Sequence, residues 1–124
     1  MLMGATAEVL VEERSITREE QDEYALNSHR KAVAAIEGGF FADEIVSVPV
    51  KDRKKGTVMV DTDEIPRSDT SMESLGRLPA LFKKNGTITA GSSSARCDAG
   101  SADIVADSEW AAANGCTPLA EVLG

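Results

Sequence analysis

Apolar and small residues recur with a helical period, mixed with a few polar ones, in two stretches near the start of the chain. Over residues 4–13, Ala5, Val9 and Glu12 fall on successive turns, and Ser15-Ile16-Thr17 ends the pattern. Thr17-Arg18-Glu19-Glu20 has the spacing of a capping box, in which the Thr17 hydroxyl accepts from the Glu20 amide while the Glu20 side chain reaches back. The helix it opens is predicted to run to about Ile36 and to stop at Gly38-Gly39. Gln21, Ala25, Ser28, Ala32 and Ile36 form its inward stripe, flanked by Tyr24 and Leu26. Glu19, Glu20 and Asp22 near its start and Arg30 and Lys31 further on suit the helix dipole.

The period then falls to two. Over residues 44–50, Val46, Val48 and Val50 alternate with Ser47 and Pro49, which predicts a half-buried strand; Pro49 puts it at an edge or bulge. Residues 51–56 form a basic turn, and residues 57–61 alternate again with Val58 and Val60 on one face, so the two runs predict a β-hairpin. An acidic connector ends at Pro66-Arg67. Thr70-Ser71-Met72-Glu73 has capping-box spacing and opens a short helix carrying Met72, Leu75 and Leu78, with Pro79 beside its end. Lys83-Lys84-Asn85-Gly86 is a turn. Residues 102–106 read as a short strand, Ser108 as the cap of a helix over 109–114 stopped by Gly115, and residues 117–123 as the beginning of another strand.

Between these patterned regions lies Thr87-Ile88-Thr89-Ala90-Gly91-Ser92-Ser93-Ser94, a loop of small residues. Small side chains let a backbone approach a ligand or another chain closely, and serine hydroxyls both donate and accept. The same composition serves plain surface loops.

The length of 124 residues fits one domain, and with aromatics at 4% its core would be thin. A net charge of -8 argues against nucleic-acid binding through a broad basic surface, while leaving room for a local basic patch that holds a phosphate. No basic and apolar leader opens the chain and no apolar run is long enough to span a bilayer. The expectation is therefore a cytoplasmic protein without membrane contact, whose two cysteines, Cys97 and Cys116, are reduced thiols without metal-type spacing. A catalytic set is missing. His29 is the one histidine and sits in mid-helix, where a solvated or hydrogen-bonded role is the default. Cys97 has Arg96 beside it but no evident base. The carboxylates lie on helix faces and in the 61–64 run, as solvated charges do.

Several segments in order resemble the thiolases, the acyl-CoA acetyltransferase family. They are Met3-Gly4-Ala5-Thr6-Ala7-Glu8, Arg18-Glu19-Glu20-Gln21-Asp22, Asp43-Glu44-Ile45-Val46, Asp61-Thr62-Asp63-Glu64, Arg67, Leu78, Phe82, and Thr87-Ile88-Thr89-Ala90-Gly91 with Ser94 and Asp98. The resemblance covers nearly the whole chain. It implies an α/β fold: a helical thiolase loop domain with a β-hairpin over residues 1–95, a strand-helix piece of the N-terminal thiolase domain over 96–118, and the start of the C-terminal thiolase domain over 119–124. Thiolases cleave or form a carbon–carbon bond through an acyl-cysteine, with a histidine activating the nucleophile and a second cysteine moving a proton. In the family the nucleophilic cysteine lies upstream of the matched part, and the Gly-His-Pro and Cys-x-Gly stretches lie downstream. None of these motifs occurs in this sequence, so the resemblance implies no catalytic residue and no metal here.

It does imply a coenzyme A surface. Met3 resembles a position beside the pantetheine and acyl group, Arg67 the basic residue near the nucleotide end, and Ser74 a residue near the adenine. Phe82, Ala90 and Ser94 resemble pantetheine-lining positions, Ser94 as a hydrogen-bonding partner. Coenzyme A or acyl-CoA would be a substrate, with no tightly bound cofactor, and the chain would need the rest of a thiolase or a homo-oligomer. The last quarter departs from the family. Ala95 stands where glycine is frequent, Cys97 where asparagine or serine is usual, and Ala99 reads as an inserted residue. Asp103 and Asp107 then fall where the family has apolar residues of a buried strand, and a buried unpaired carboxylate is costly. The expected function is a part of a thiolase-type acyl-CoA C-acyltransferase, of the fatty-acid or ketone-body type, inactive by itself. The alternatives are a non-catalytic acyl-CoA or protein interaction module and an inactive truncated fragment.

Overall fold

The computed structural model describes residues 2–123, with elements in the order α1 (Met3–Arg14), α2 (Arg18–Glu37), β1 (Val48–Asp52), β2 (Gly56–Val60), α3 (Met72–Gly76) and α4 (Ser108–Ala113). Met1 and Gly124, the outer ends of the first and last expected segments, lie outside the described residues.

Helix starts and stops follow local chemistry. The Thr17 box forms as its spacing predicts: Thr17 Oγ1 accepts from the Glu20 amide at 3.2 Å, and the Thr17 amide donates to Glu20 Oε2 at 2.7 Å. Those bonds from Thr17 hold the Glu20 carboxyl below its ordinary range. At the other end Gly39 takes φ +72°, and the amides of Gly39 and Phe40 close back on Ile36 and Ala35, the bonding pattern of a glycine-terminated helix. The second box is displaced by one residue from the expected one: Ser71 is the cap and Ser74, not Glu73, its reciprocal partner. α4 is capped by Asp107 rather than Ser108, since the Asp107 carboxylate accepts from the Glu109 and Trp110 amides at 3.0 Å each.

The hairpin forms, with the first strand starting later than expected, at Val48, and the second one residue earlier, at Gly56. Val48 pairs with Val60 and Val50 with Val58 in an antiparallel ladder, and Pro49 meets Met59. With two strands both are edges, so proline is tolerated. Asp52 Oδ1 accepts from the Lys54 and Lys55 amides at 2.8 and 2.7 Å, and Gly56 at φ +79° completes the turn. The expected half-burial does not occur: all of β1 is exposed, because among the described residues no element packs on its valine face.

Residues 102–106 and 117–123 contain no strand. Ile104 and Val105 are 98% and 85% exposed. A strand needs neighbours to accept its backbone bonds, and among the described residues β1 and β2 pair only with each other. The expected short strand of an adjoining layer is thus replaced by irregular chain.

The buried core is small and half polar: Leu26, Leu75, Ile88 and Ala111, with Glu8, Asp22 and Thr89. Val9, expected on the inner face of α1, is exposed, and its neighbour Glu8 takes that place. On α2 the inward face runs through Asp22, Leu26 and His29, not Ser28. α2 packs on α3 through Arg18. Its Nη2 donates to the carbonyls of Leu75 and Leu78 at 2.7 and 3.1 Å, while its Nε pairs with Asp22 at 2.8 Å. The whole chain exposes 10813 Å², against about 6,400 Å² for a compact monomer of its mass.

Arg18→Ala removes three bonds at once and leaves the 2% exposed Asp22 without its cation. It is expected to lower stability by about 3 kcal/mol, the lower end for breaking a buried pair because Arg18 is partly exposed. A urea melt followed by circular dichroism checks this; a midpoint equal to the parent's contradicts it.

Candidate functional site

A buried carboxylate organises the small-residue loop. Glu8 projects from α1, 3% exposed, and its Oε1 accepts from the Thr87 and Ile88 amides at 2.9 and 2.8 Å. A Cβ on Gly86 would overlap the Glu8 carboxyl, so that position admits glycine alone without a shift. Gln21 Nε2 of α2 donates to Thr87 Oγ1 at 3.0 Å, and the Leu81 amide donates to the Ile88 carbonyl at 3.0 Å. Beyond this latch, Thr89 is fully buried. Its hydroxyl accepts from the Gly91 and Ser92 amides, Ser92 Oγ accepts from the Thr89 amide, and Ser93 Oγ donates to the Thr89 carbonyl at 2.6 Å. Two of the three serine hydroxyls are therefore structural. Ala90 and Ser94 remain exposed.

The other expected site residues lie on neighbouring segments. Met3 is 83% exposed at the start of α1. Phe82 is half-buried, and its ring covers Gly4, where a Cβ would overlap it. Gly91, next to Ala90, lies against Leu75 and Leu78, so the loop meets the end of α3. Ser74 is exposed on α3 and its hydroxyl is committed to the cap, donating to the Ser71 carbonyl at 2.9 Å and accepting from the Ser71 amide at 3.0 Å. Arg67 is exposed. Its Nε and Nη2 pair with the Asp69 carboxylate at 3.2 Å each, and its amide donates to His29 Nδ1 at 3.1 Å. The hydrogen bond and charge of Arg67 hold Asp69 below the usual carboxylate range, and Asp69 in turn raises the guanidinium. Arg67, Ser68 and Thr70 face Arg30 and Leu26 of α2 across an open groove of about 280 Å³.

No hydrogen bond joins any two of Met3, Arg67, Ser74, Phe82, Ala90 and Ser94 among the described residues. Met3, Phe82, Ala90 and Ser74 are linked through the packing of their chain neighbours. Sequence reasoning missed Glu8, Arg18 and Thr89 as the groups that hold these segments, and Asp22 as a core residue. Gly86 ahead of Thr87 was the available signal, since a glycine there marks a close approach. Cys97 and Cys116 are both exposed. Among the described residues no group of histidine, cysteine and carboxylate side chains is placed to hold a metal ion, and no helix is long and apolar enough to cross a membrane.

The family model "Thiolase, N-terminal domain" matches residues 1–109. The chain belongs to the thiolase family. It is 48% identical to an acetyl-CoA acetyltransferase of Escherichia coli over 97% of this chain and 30% of that protein. It is 43% identical to a mitochondrial 3-ketoacyl-CoA thiolase of Mus musculus over 98% of this chain and 30% of that protein. A crystal structure of the Bacillus anthracis acetyl-CoA acetyltransferase superposes with a TM-score of 0.69 and 52% identity, covering 73% of this chain and 23% of that one. This thiolase-family chain thus spans about a third of the length of the curated relatives it matches, and its helices and two-stranded sheet follow part of the thiolase fold.

Glu8→Ala would leave the Thr87 and Ile88 amides unpaired beneath the loop. Bonds to a charged acceptor each contribute about 1.5–3 kcal/mol, so a loss of about 3 kcal/mol is expected, with fast hydrogen exchange at both amides. Glu8→Gln keeps one acceptor oxygen and should lose about half as much. Unchanged exchange at Thr87 and Ile88 in Glu8→Ala would contradict the latch.

Proposed function

We propose that this chain contributes the coenzyme A surface of a thiolase-type acyl-CoA C-acyltransferase. In this reading residues 1–95 are the loop domain, residues 96–118 a piece of the N-terminal domain, and residues 119–124 the start of the C-terminal domain. The observation that carries it is the convergence of three segments on one small-residue loop. Gly4 beside Met3 lies under Phe82, Leu81 bonds Ile88, and Gly91 beside Ala90 packs on Leu75 beside Ser74. Met3, Ser74, Phe82 and Ala90, which resemblance alone assigns to one ligand, are thus carried by segments that touch.

The chemistry assigns different parts. Ala90 and Ser94, on the exposed side of a loop whose other hydroxyls are used internally, would line the pantetheine arm, Ser94 by a hydrogen bond. Phe82 supplies apolar contact along the pantetheine arm, and Met3 supplies it beside the acyl group. Arg67 meets the nucleotide phosphates or stacks on the adenine, as a planar guanidinium can. Ser74 contributes contact rather than a hydrogen bond, since its hydroxyl closes the α3 cap. Coenzyme A is then a substrate, and no tightly held cofactor is required. The sequence carries neither the nucleophilic cysteine motif nor the Gly-His-Pro and Cys-x-Gly motifs, so acyl transfer needs the remainder of a thiolase or further protomers. The large exposed surface supports such docking: Ile104, Leu119, Val122 and Leu123 are each more than 80% exposed, an apolar content that favours contact with a protein partner.

Two outcomes follow. The purified chain should show no coenzyme A-dependent cleavage of acetoacetyl-CoA above a buffer blank; turnover retained after Cys97→Ser and Cys116→Ser would contradict the assignment. Calorimetric titration should show weak coenzyme A binding that falls with ionic strength, as exposed charge contacts do. Arg67→Ala should weaken it by about 1–2 kcal/mol and Ser94→Ala by about 1 kcal/mol or less. No detectable heat at millimolar coenzyme A would overturn the proposal.

A further inference from the structure

Residues 61–70 connect the hairpin to α3, and among the described residues one hydrogen bond ties them to the rest of the fold: the Arg67 amide to His29 Nδ1, at 3.1 Å. The other side-chain bonds within this segment are internal, Thr62 to Asp61 and Arg67 to Asp69. His29 is half-buried on the inner face of α2, one residue before Arg30, whose side chain lines the groove shared with Arg67. An imidazole nitrogen that accepts a hydrogen bond belongs to the neutral ring, with the proton on Nε2.

We propose that His29 is a positioning residue for Arg67. Its Nδ1 fixes the Arg67 backbone against α2, Asp69 pairs with the guanidinium, and together they hold the cation at the groove beside Arg30, where a phosphate group of coenzyme A is received. The inference rests on the reading of Arg67 as a nucleotide contact. The side chain acts at a distance from the ligand: without it, the segment keeps its sequence and charge but loses the bond that sets where the charge stands. A phosphate-free ligand such as pantetheine does not call on Arg67 and is indifferent to His29.

The test compares the parent chain with His29→Ala and His29→Asn, since an asparagine carbonyl can accept from the same amide. Amide hydrogen exchange is measured at Arg67, and coenzyme A and pantetheine are each titrated by calorimetry. Exchange at the Arg67 amide should be slow in the parent and in His29→Asn and fast in His29→Ala. Coenzyme A affinity should fall about fivefold in His29→Ala, the value of one neutral hydrogen bond, and return to within about twofold of the parent in His29→Asn. Pantetheine affinity should be equal in all three. Coenzyme A binding that is equal in the parent and His29→Ala overturns the positioning role alone. Parallel loss of both ligands in His29→Ala, with a lowered melting temperature, also overturns it, in favour of a general part in folding. A parent chain that binds no coenzyme A removes the nucleotide role of Arg67, and this assignment with it.

Discussion

The arrangement of this chain depends on one carboxylate. Glu8 is 3% exposed and no cation pairs with it among the described residues. A buried charge without compensation is costly, so its surroundings must supply the compensation. They do so with the Thr87 and Ile88 amides, at 2.9 and 2.8 Å, and bonds of that charge-assisted kind are stronger than neutral ones. Gly86 has no side chain because the carboxyl fills its space. Through that contact α1 fixes where the loop begins, and the buried Thr89 fixes how it turns. The exposed Ala90 and Ser94 are consequences of these two anchors.

The same logic extends to α2. Its contact with α3 is made by Arg18, Asp22 and two carbonyls as much as by Leu26 and Leu75. Polar contacts of this kind specify geometry more than they add stability. A domain with four buried apolar residues among those described has little hydrophobic driving force of its own, and its many exposed valines, leucines and isoleucines are suited to cover by further protein. The matched relatives are about three times longer than this chain.

What the sequence made legible is local. The Thr17 cap, the Gly38-Gly39 stop, the basic hairpin turn and the Asn85-Gly86 turn are each decided by residues within one turn of one another. Long-range choices were not legible. On α1 the period favoured Val9 as the inner residue, yet Glu8 is inside, because amides some eighty positions later receive it. Residues 102–106 have strand composition, but strand formation needs a pairing partner, and among the described residues β1 and β2 pair only with each other. Caps slipped by one position where two adjacent residues could serve: Asp107 outcompeted Ser108, and Ser71 paired with Ser74 where Glu73 had been expected. Of the candidate site, the residue types came from resemblance to a family. Their packing neighbours, and the bond from Arg67 to His29, required the structure.

The proposed function puts Met3, Arg67, Ser74, Phe82, Ala90 and Ser94 on one coenzyme A surface. Amide chemical shifts recorded on the isotope-labelled chain, with coenzyme A added in steps to millimolar concentration, test it most directly. The account predicts progressive shifts at these six positions and at Gly4 and Gly91 beside them, with the tip of the hairpin at residues 53–55 serving as a check on charge-driven binding at low salt. Shifts confined to the hairpin tip, or absent throughout, would contradict it.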